Sequence, residues 1–343
     1  MAAPDLAGGV FTRAERRLSR IDPLLPWPRP DAPHCGTPLG TGYEPGAGAV
    51  GRCEHWVAEP GSLDLSWGAA RRFQLAPTIA GPDVAAGLGQ LLTQWRDHLA
   101  VVPGAGADDS AAIVTWPSRD ADGVLTLLRH GFDPLEVLAA RAAPSRGARE
   151  PLTAGSAASE LLAGTHGGLD GSLRVRRATA PDADVVARLA IEVIRFDSRF
   201  GAVNERPDTL AALRREAAGL LAGPEPWAWL AERDGEPVGL LAAQRPEAAR
   251  WIAPMVREAP AAYLMLMFVD PAERGSGTGG RLVAEFHRAA DAAGVAVTLL
   301  HYEQLNPLAV PFWSRHGYRP LWTTWQATPA GAFRWPAPVQ EAT

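Results

Sequence analysis

The amino-acid sequence predicts a mixed α/β (α+β) protein that folds as two related domains. The chain has 343 residues, about twice the length of a common domain. From Ser172 onward, apolar periodicity and turn residues follow the order β-α-α-β-β-β-α-β-α-β. A stretch near the end of the first half also resembles one near the end of the second half. We therefore expect the two halves to share a structural plan.

The first half is predicted from turn residues and short apolar runs. Residues 1–50 are rich in Pro and Gly, which favours an irregular segment with one short helix at Thr12–Ile21. Residues 51–142 are expected to form the first domain. Within it, apolar residues at helical spacing predict a helix at Pro82–Ala100, and a short apolar run predicts a buried strand at Ala111–Trp116.

The second half has a more regular pattern. Residues 143–171 are rich in Ala, Gly and Ser, which is typical of a linker. Residues 172–326 are predicted to form the second domain, and residues 327–343 a C-terminal tail. The expected strands are, in chain order, Leu173–Ala178, Trp227–Arg233, Pro237–Ala243, Ala261–Val269, Val295–Leu300 and Tyr318–Trp325. The expected helices end near Phe196, Leu221, Ala293 and His316.

Two short motifs locate element boundaries in this half. Thr179 and Asp182 have the spacing of a capping box, which predicts the start of a helix. The dipeptide Asp234-Gly235 lies between two apolar runs, and such a pair favours the tight turn of a hairpin.

Composition excludes several classes of function. The formal net charge of −5 gives no basic field for nucleic acid or anionic membranes, and no apolar run reaches the ~18 residues of a membrane helix. The first residues lack a signal-peptide core, and two cysteines do not make a disulfide scaffold, so we expect a cytoplasmic protein. All 33 basic residues are arginine, which excludes chemistry that needs a lysine of this chain.

A glycine-rich loop follows the strand Ala261–Val269, and its sequence from residue 270 is DPAERGSGTGG. Glycines let backbone N–H groups converge, and a helix N-terminus adds partial positive charge, so this loop is predicted to bind phosphate. Gly275, Gly277 and Gly280 also match the spacing of a dinucleotide fingerprint. That motif directly follows its strand in a longer parallel sheet, and five residues intervene here, so we disfavour it.

The loop and the residues after it resemble the GNAT N-acetyltransferase superfamily. The matching motifs are Arg274-x-x-Gly277-x-Gly279 after a Val-Asp-Pro strand end, Asn306-x-x-Ala309, and Gly317-Tyr318. The resemblance implies a mixed, mainly antiparallel sheet flanked by helices, and acetyl-CoA or another acyl-CoA as co-substrate. The residues that it implies for CoA binding are Met267, Phe268, Val269, Arg274, Gly275, Ser276, Gly277, Thr278, Gly279, Asn306 and Trp313. For Asn306, contact with pantetheine and capping of its own helix remain alternatives.

The resemblance also directs the search for acid and base groups. In this family an amine attacks the thioester directly, after a base removes its proton. Where some members carry a carboxylate on the fifth strand, this chain has His301, and Glu303 is a second candidate base. The position of the usual tyrosine acid holds Trp313, whose indole is not a practical proton donor, which leaves Tyr302 or solvent.

The acceptor site is less defined by the sequence. The residues that we expect near the acceptor are Arg195, Trp229, Tyr263 and Met265. A metal site was considered for the set His34, Cys35, Cys53 and His55. Adjacent His and Cys residues suit a single tetrahedral ion poorly, so we expect no metal.

The internal repeat extends the resemblance to the first half. Residues 113–132 align without gaps with residues 299–318, and Asp120 and Thr115 take the places of Asn306 and His301. Because Val84 stands where the loop has Arg274, we expect the first domain to be a degenerate GNAT-like copy. This tandem arrangement resembles the mycothiol synthase type, without indicating its substrate.

The function predicted by these features is N-acyl transfer from acyl-CoA to a small-molecule amine. The alternative is a non-catalytic acyl-CoA-binding sensor or scaffold, which the missing tyrosine favours. We expect a monomer or homodimer that binds neither nucleic acid nor membrane.

Overall fold

A computed structural model describes four parts of the chain, residues 3–26, 37–40, 48–143 and 173–333. The strands are β1 (Thr37–Gly40), β2 (Ala49–Val57), β3 (Arg71–Ile79), β4 (Ser110–Pro117), β5 (Asp133–Ala142), β6 (Arg174–Arg177), β7 (Ala228–Arg233), β8 (Glu236–Gln244), β9 (Ala261–Val269), β10 (Val297–Glu303) and β11 (Arg319–Ala327). The α-helices are α1 (Ala3–Ile21), α2 (Val84–Leu99), α3 (Ala121–Arg129), α4 (Ala183–Asp197), α5 (Thr209–Leu221), α6 (Thr278–Ala292) and α7 (Ala309–Arg315). No helix within these four parts has the length and apolar character to cross a membrane.

Both predicted boundary motifs are confirmed. The backbone N–H and the hydroxyl of Thr179 each donate to the Asp182 carboxylate at 2.8 Å, which satisfies donors at the start of the helical segment. Asp182 also accepts two hydrogen bonds from Arg176, which joins this turn to β6. Asp234 and Gly235 have φ angles of 52° and 87°, and they connect β7 to β8 as a tight hairpin.

The strands form one mixed, mainly antiparallel sheet, which confirms the predicted fold class. The order of its eleven strands is β1-β2-β3-β4-β11-β5-β10-β9-β8-β7-β6. Two neighbouring pairs are parallel, β3 with β4 in the first half and β9 with β10 in the second. Each half therefore has a parallel pair next to a run of antiparallel strands.

The two halves exchange their last strands. β11 lies between β4 and β5, and β5 lies between β11 and β10. The last strand of the second half thus completes the first half, and the reverse also holds. Because of this exchange, the predicted domains at 51–142 and 172–326 share one sheet. Their boundaries remain a prediction, since the linker at 143–171 lies almost wholly outside the described residues.

Helices cover both faces of the sheet in the second half. α6 packs through Leu282 and Phe286 on one face, where Met267 and Val269 of β9 also lie. α4 and α5 pack on the opposite face, which receives the side chains of Leu266 and Phe268. In the first half, α2 covers a separate core that includes Trp325 of β11.

The N-terminal segment contains more regular structure than predicted. α1 begins at Ala3, nine residues before the expected start, and β1 adds a strand where we expected irregular chain. Leu18 and Ile21 of α1 pack on the sheet, and Arg17 pairs with the Asp120 carboxylate. These tertiary contacts stabilise a helix whose sequence contains a Pro and two Gly residues.

The predicted C-terminal tail also begins as ordered structure. Ala330 and Phe333 are buried in the core below α2, and Phe333 contacts the ring of Trp95 at 5.4 Å. Residues 334–343 lie outside the described parts of the chain.

Candidate functional site

The parallel strands β9 and β10 pair only over their first four residues. Ala261–Leu264 pair with Val297–Leu300, and the strands then diverge. Beyond this point β10 continues along β5, whereas β9 continues along β8. The edge of β9 that faces β10 therefore presents backbone N–H and C=O groups over residues 265–269, and such groups need hydrogen-bond partners.

A β-bulge marks the start of this divergence. Along β8, Ala243 pairs with Leu264 and Ala242 with Leu266, so Met265 is the extra residue on β9. A bulge redirects the side chains that follow it. It places Met267 and Val269 on the α6 face, and Leu266 and Phe268 on the opposite face.

The glycine-rich loop joins the free end of β9 to the N-terminus of α6. Gly275 and Gly277 have φ angles of 84° and 89°, in a region that favours glycine, and open space surrounds both. Gly277 is the N-cap of α6, so the first amides of that helix have no acceptor within it. This arrangement suits a bound anion.

Side chains of the loop hold its shape. Glu273 receives two hydrogen bonds of 2.7 Å from Arg233, and the Ser276 hydroxyl donates to the Glu273 carbonyl at 2.8 Å. Ser276 and Thr278 are also joined through their hydroxyls. Arg274 is exposed, with its guanidinium 4.9 Å from the centre of the Phe196 ring. A permanent cation therefore lies next to the predicted anion site.

Gly279 is required for a close approach between two helices. A Cβ atom at this position would lie 3.1 Å from the ring of Phe312. The small residue lets the first turn of α6 pack against α7, which follows the end of β10.

His301 and Tyr263 meet on the α4–α5 face of the sheet. The Tyr263 hydroxyl lies 3.0 Å from His301 Nδ1. Burial raises the pKa of the Tyr263 hydroxyl, and the carboxylates of Glu136 and Glu216 raise it further, so this phenol stays protonated. His301 itself is half-buried on β10, two residues before Glu303 on the same side of the strand.

Glu303 is a buried carboxyl with incomplete hydrogen bonding. It is 6% exposed, and its Oε2 atom has no hydrogen-bond partner. Burial raises its pKa to about 8, and the nearby Glu136 and Asp197 carboxylates contribute to that rise. A perturbed carboxyl at the open end of diverging strands is typical of a functional site.

Asn306 connects Asp197 of α4 to the turn before α7. Its Oδ1 accepts from the Leu308 backbone N–H at 3.0 Å, and its Nδ2 donates to Asp197 at 3.1 Å. Burial raises the pKa of Asp197 to about 6, and the hydrogen bond from Asn306 partly offsets this rise. Asn306 thus supports the turn before its helix, and its amide reaches Asp197 of α4 on the same face of the sheet as His301.

The raised pKa of Glu303 predicts a pH dependence of stability. The folded protein holds this proton up to about pH 8, whereas an unfolded glutamate releases it near 4.5. The free energy of unfolding should therefore fall as pH rises through that window. Glu303→Gln should flatten the fall, and urea titrations between pH 5 and 9 would measure it. Equal slopes for both proteins would contradict the buried, protonated state.

Two of the predicted site residues, Trp229 and Trp313, lie on the opposite face of the sheet from His301, and a third, Arg195, lies at the exposed end of α4. Trp229 is 2% exposed and packs against Phe286 of α6, so it belongs to the core on the opposite face of the sheet. Trp313 is likewise buried on the α6 face, in contact with Tyr318. Arg195 is exposed and pairs with Glu192 and Glu205. Trp229 is therefore a core residue and not part of the candidate acceptor site, whereas the role of Arg195 at the acceptor stays a prediction.

Two carboxylates of the site were missed by sequence reasoning. Glu136 lies directly opposite Glu303 in the pairing of β5 with β10, and Glu216 lies on α5. Glu136 is the only charged residue between the apolar positions Leu135 and Ala140 of its strand, and that isolation was a usable signal. Glu136 reaches this site only because β5 pairs with β10 after the strand exchange, and the sequence pattern does not predict that pairing.

The positions of the first half that are equivalent to the glycine-rich loop do not form a second anion site. A Cβ at Gly87 would lie 3.3 Å from Ala49 and Ile79, so this glycine is packed against β-strands. Asp120, the counterpart of Asn306, is engaged by Arg17 of α1. Of the considered metal ligands, His34 and Cys35 lie outside the described residues, and His55 stacks on Phe73. No metal-ligating cluster occurs among the residues that the structure describes.

Comparison with known proteins gives a family for part of this chain. Residues 225–320 match the family model described as the acetyltransferase (GNAT) domain. No curated protein matches the sequence. Among solved structures, a GCN5-related N-acetyltransferase from Sphaerobacter thermophilus is 14% identical with a TM-score of 0.50. That alignment covers 82% of this chain and 76% of the other, which shows a shared fold.

Two further solved structures are similar at lower scores. A GCN5-related N-acetyltransferase from Kribbella flavida is 14% identical, with a TM-score of 0.40 and 95% of each chain covered. A predicted acetyltransferase with acetyl-CoA from Clostridium acetobutylicum is 15% identical, with a TM-score of 0.34. It covers 43% of this chain and 90% of the other.

Proposed function

We propose that this chain, whose residues 225–320 match the family model of the acetyltransferase (GNAT) domain, transfers an acyl group from acyl-CoA to a small-molecule amine. The observation that carries the proposal is the divergence of β9 from β10 beside the glycine-rich loop. Within this short stretch of sheet lie a candidate anion site, the unpaired edge of β9 and the buried carboxyl of Glu303.

The chain offers distinct contacts for each part of acyl-CoA. The amides of residues 277–279 at the start of α6 suit the pyrophosphate, and Arg274 adds a permanent positive charge. The backbone of Met267, Phe268 and Val269 suits the amide groups of the pantetheine arm, because these residues form the free edge of β9.

His301 is our candidate for the general base. In the tautomer with a proton on Nδ1, His301 donates to the Tyr263 oxygen, and Nε2 can then accept a proton. A proton passes from the acceptor ammonium to Nε2, and the neutral nitrogen attacks the thioester carbon. As the amide bond forms, the nitrogen releases its second proton to solvent and the C–S bond breaks, so that CoA leaves as a thiolate.

The leaving thiolate receives its proton from solvent in this proposal. Trp313 is buried on the α6 face and its indole is not a practical acid. Tyr302 packs beside the same core, on the opposite side of β10 from His301. The balanced reaction converts an ammonium and a thioester into an amide, a thiol and one proton.

The CoA site is tested by placing a negative charge in the loop. Gly277→Glu should weaken CoA binding at least ~10-fold in calorimetry, because the new carboxylate repels the pyrophosphate. Gly294→Glu is a matched control at the other end of α6, since Gly294 also has a positive φ, of 69°, and open surroundings. Unchanged affinity in a folded Gly277→Glu protein would contradict the proposed site.

The non-catalytic alternative is favoured by one observation, the indole at the position of the usual acid. Release of CoA thiol from acetyl-CoA, measured with a panel of amines, separates the two functions. Amine-dependent release supports the transferase, whereas CoA binding without release from any acceptor supports the sensor.

A further inference from the structure

The first half of the chain contributes a carboxylate to the face that holds His301. Glu136 of β5 pairs in register with Glu303 of β10, and directly opposed residues of antiparallel strands lie on the same face. Two like charges in this position destabilise a sheet unless a proton or a cation lies between them. The strand exchange is what brings this carboxylate to the second half.

Glu136 has no cation of its own among the described residues. Arg72 of β3 is close enough for Glu136 to influence its pKa, yet its guanidinium donates to the carbonyls of Ala69 and Asp64. The Glu136 carboxylate makes no hydrogen bond or ion pair within the described parts of the chain. Among the described residues, this carboxylate is therefore near the Arg72 cation but not bound to it directly, so its oxygens can accept hydrogen bonds from a ligand.

The neighbouring groups are also acidic and incompletely paired. Among the described residues, the Oε2 atom of the buried Glu303 has no hydrogen-bond partner, and the Asp197 carboxylate accepts a hydrogen bond from the Asn306 amide. The charge of Glu216 on α5 also raises the pKa of the Tyr263 hydroxyl, which lies 3.0 Å from His301 Nδ1. Glu303 thus gives a buried, unsatisfied acceptor atom in addition to the charge of the cluster, and an ammonium group supplies the donors that such atoms lack.

We propose that the acceptor is a dicationic amine, whose reacting nitrogen lies at His301 and whose second ammonium binds Glu136 beside Glu303. This assignment rests on the proposed acyl transfer and names the substrate class for that same site. The first half would then determine which acceptor amine is used, even though it has no glycine-rich anion site of its own. The second ammonium pairs with the Glu136 carboxylate and supplies a donor to the unpartnered Oε2 atom of Glu303.

The geometry limits the length of such an acceptor. His301 and Glu303 are two strand residues apart, which corresponds to roughly 6–7 Å along β10. An extended chain of about four methylenes joins two nitrogens over that span, given carbon–carbon bonds of ~1.5 Å. The probe is therefore 1,4-diaminobutane, and 1-aminobutane is its monocationic counterpart of equal carbon length.

The experiment compares these two amines on the full chain with acetyl-CoA. The wild-type protein should use 1,4-diaminobutane with a kcat/KM at least ~10-fold higher than 1-aminobutane, since a charge-assisted hydrogen bond has about that effect. Glu136→Gln should remove most of this preference, because it should raise KM for the diamine much more than KM for 1-aminobutane. Glu54→Gln, at an exposed position on β2, is the matched control and should keep the preference.

A direct measurement of amine binding tests this inference without requiring turnover. Calorimetry in the presence of CoA should show tighter binding of the diamine than of the monoamine, and Glu136→Gln should abolish the difference. If Glu136→Gln does not fold, Glu216→Gln provides the second variant, with a smaller loss expected. Equal use and equal binding of both amines would overturn this inference while leaving the acyl transfer intact. Failure of every amine to support thiol release, with diamine binding retained, would instead overturn the proposed function alone.

Discussion

His301→Ala should lower kcat by 10²–10⁴-fold, the range expected when a general base is removed. The imidazole lies at the point where β10 leaves β9, and Tyr263 holds its Nδ1 at 3.0 Å. CoA affinity should remain unchanged, because the loop that suits the pyrophosphate lies beyond the far end of β9. Steady-state kinetics with acetyl-CoA and a good acceptor, together with calorimetry for CoA, would measure both effects.

Two controls separate base chemistry from general damage to the site. Tyr263→Phe removes only the hydrogen bond to His301, so it should cost roughly 10-fold. Trp313→Phe alters the opposite face of the sheet and should cost less. If His301→Ala keeps the full rate, the assignment is wrong, and Glu303 becomes the candidate base.

Trp325→Ala should lower the free energy of unfolding by about 3–5 kcal/mol, as expected for truncating a fully buried aromatic residue. Trp325 belongs to β11 of the second half, yet it is 4% exposed within the core beneath α2 of the first half. The strand exchange therefore predicts that a change at residue 325 loosens the first half. Urea unfolding would give the free energy, and hydrogen exchange of α2 amides would locate the loss.

An exposed tryptophan provides the control for this substitution. Trp251 is 57% exposed, and Trp251→Ala should lower the free energy of unfolding by only about 1 kcal/mol, because it removes one exposed hydrogen bond to Gln244. If Trp325→Ala left α2 protected while destabilising only the second half, the observed strand order would be wrong.

Local features of this protein were predictable from the sequence. The capping box of Thr179 and Asp182, the turn at Asp234-Gly235 and the glycine-rich loop each depend on backbone preferences of a few adjacent residues. These local backbone conformations depend little on tertiary packing, so short motifs predicted them from the sequence.

The order of strands was not predictable in the same way. β5 and β11 are both apolar strands that follow a helix, and nothing in their periodicity states which neighbour each will pair with. Two irregular positions add to this difficulty. Met265 and Leu135 lie where strand registers shift, so the side-chain alternation on either side of each changes face. The role of Glu136 follows from both effects, and the sequence alone contained neither.

The exchanged strands have a consequence for how the chain acquires its structure during synthesis. β4 and β5 emerge early and flank α3, but each pairs with a strand of the second half and they do not pair with each other. Until residues 319–327 emerge, a nascent first half exposes unpaired strand edges, which are prone to association with other chains. Closure of the sheet requires contacts across about 200 residues, and such high contact order slows folding. Maturation of the N-terminal half is therefore tied to the arrival of the C-terminal strand.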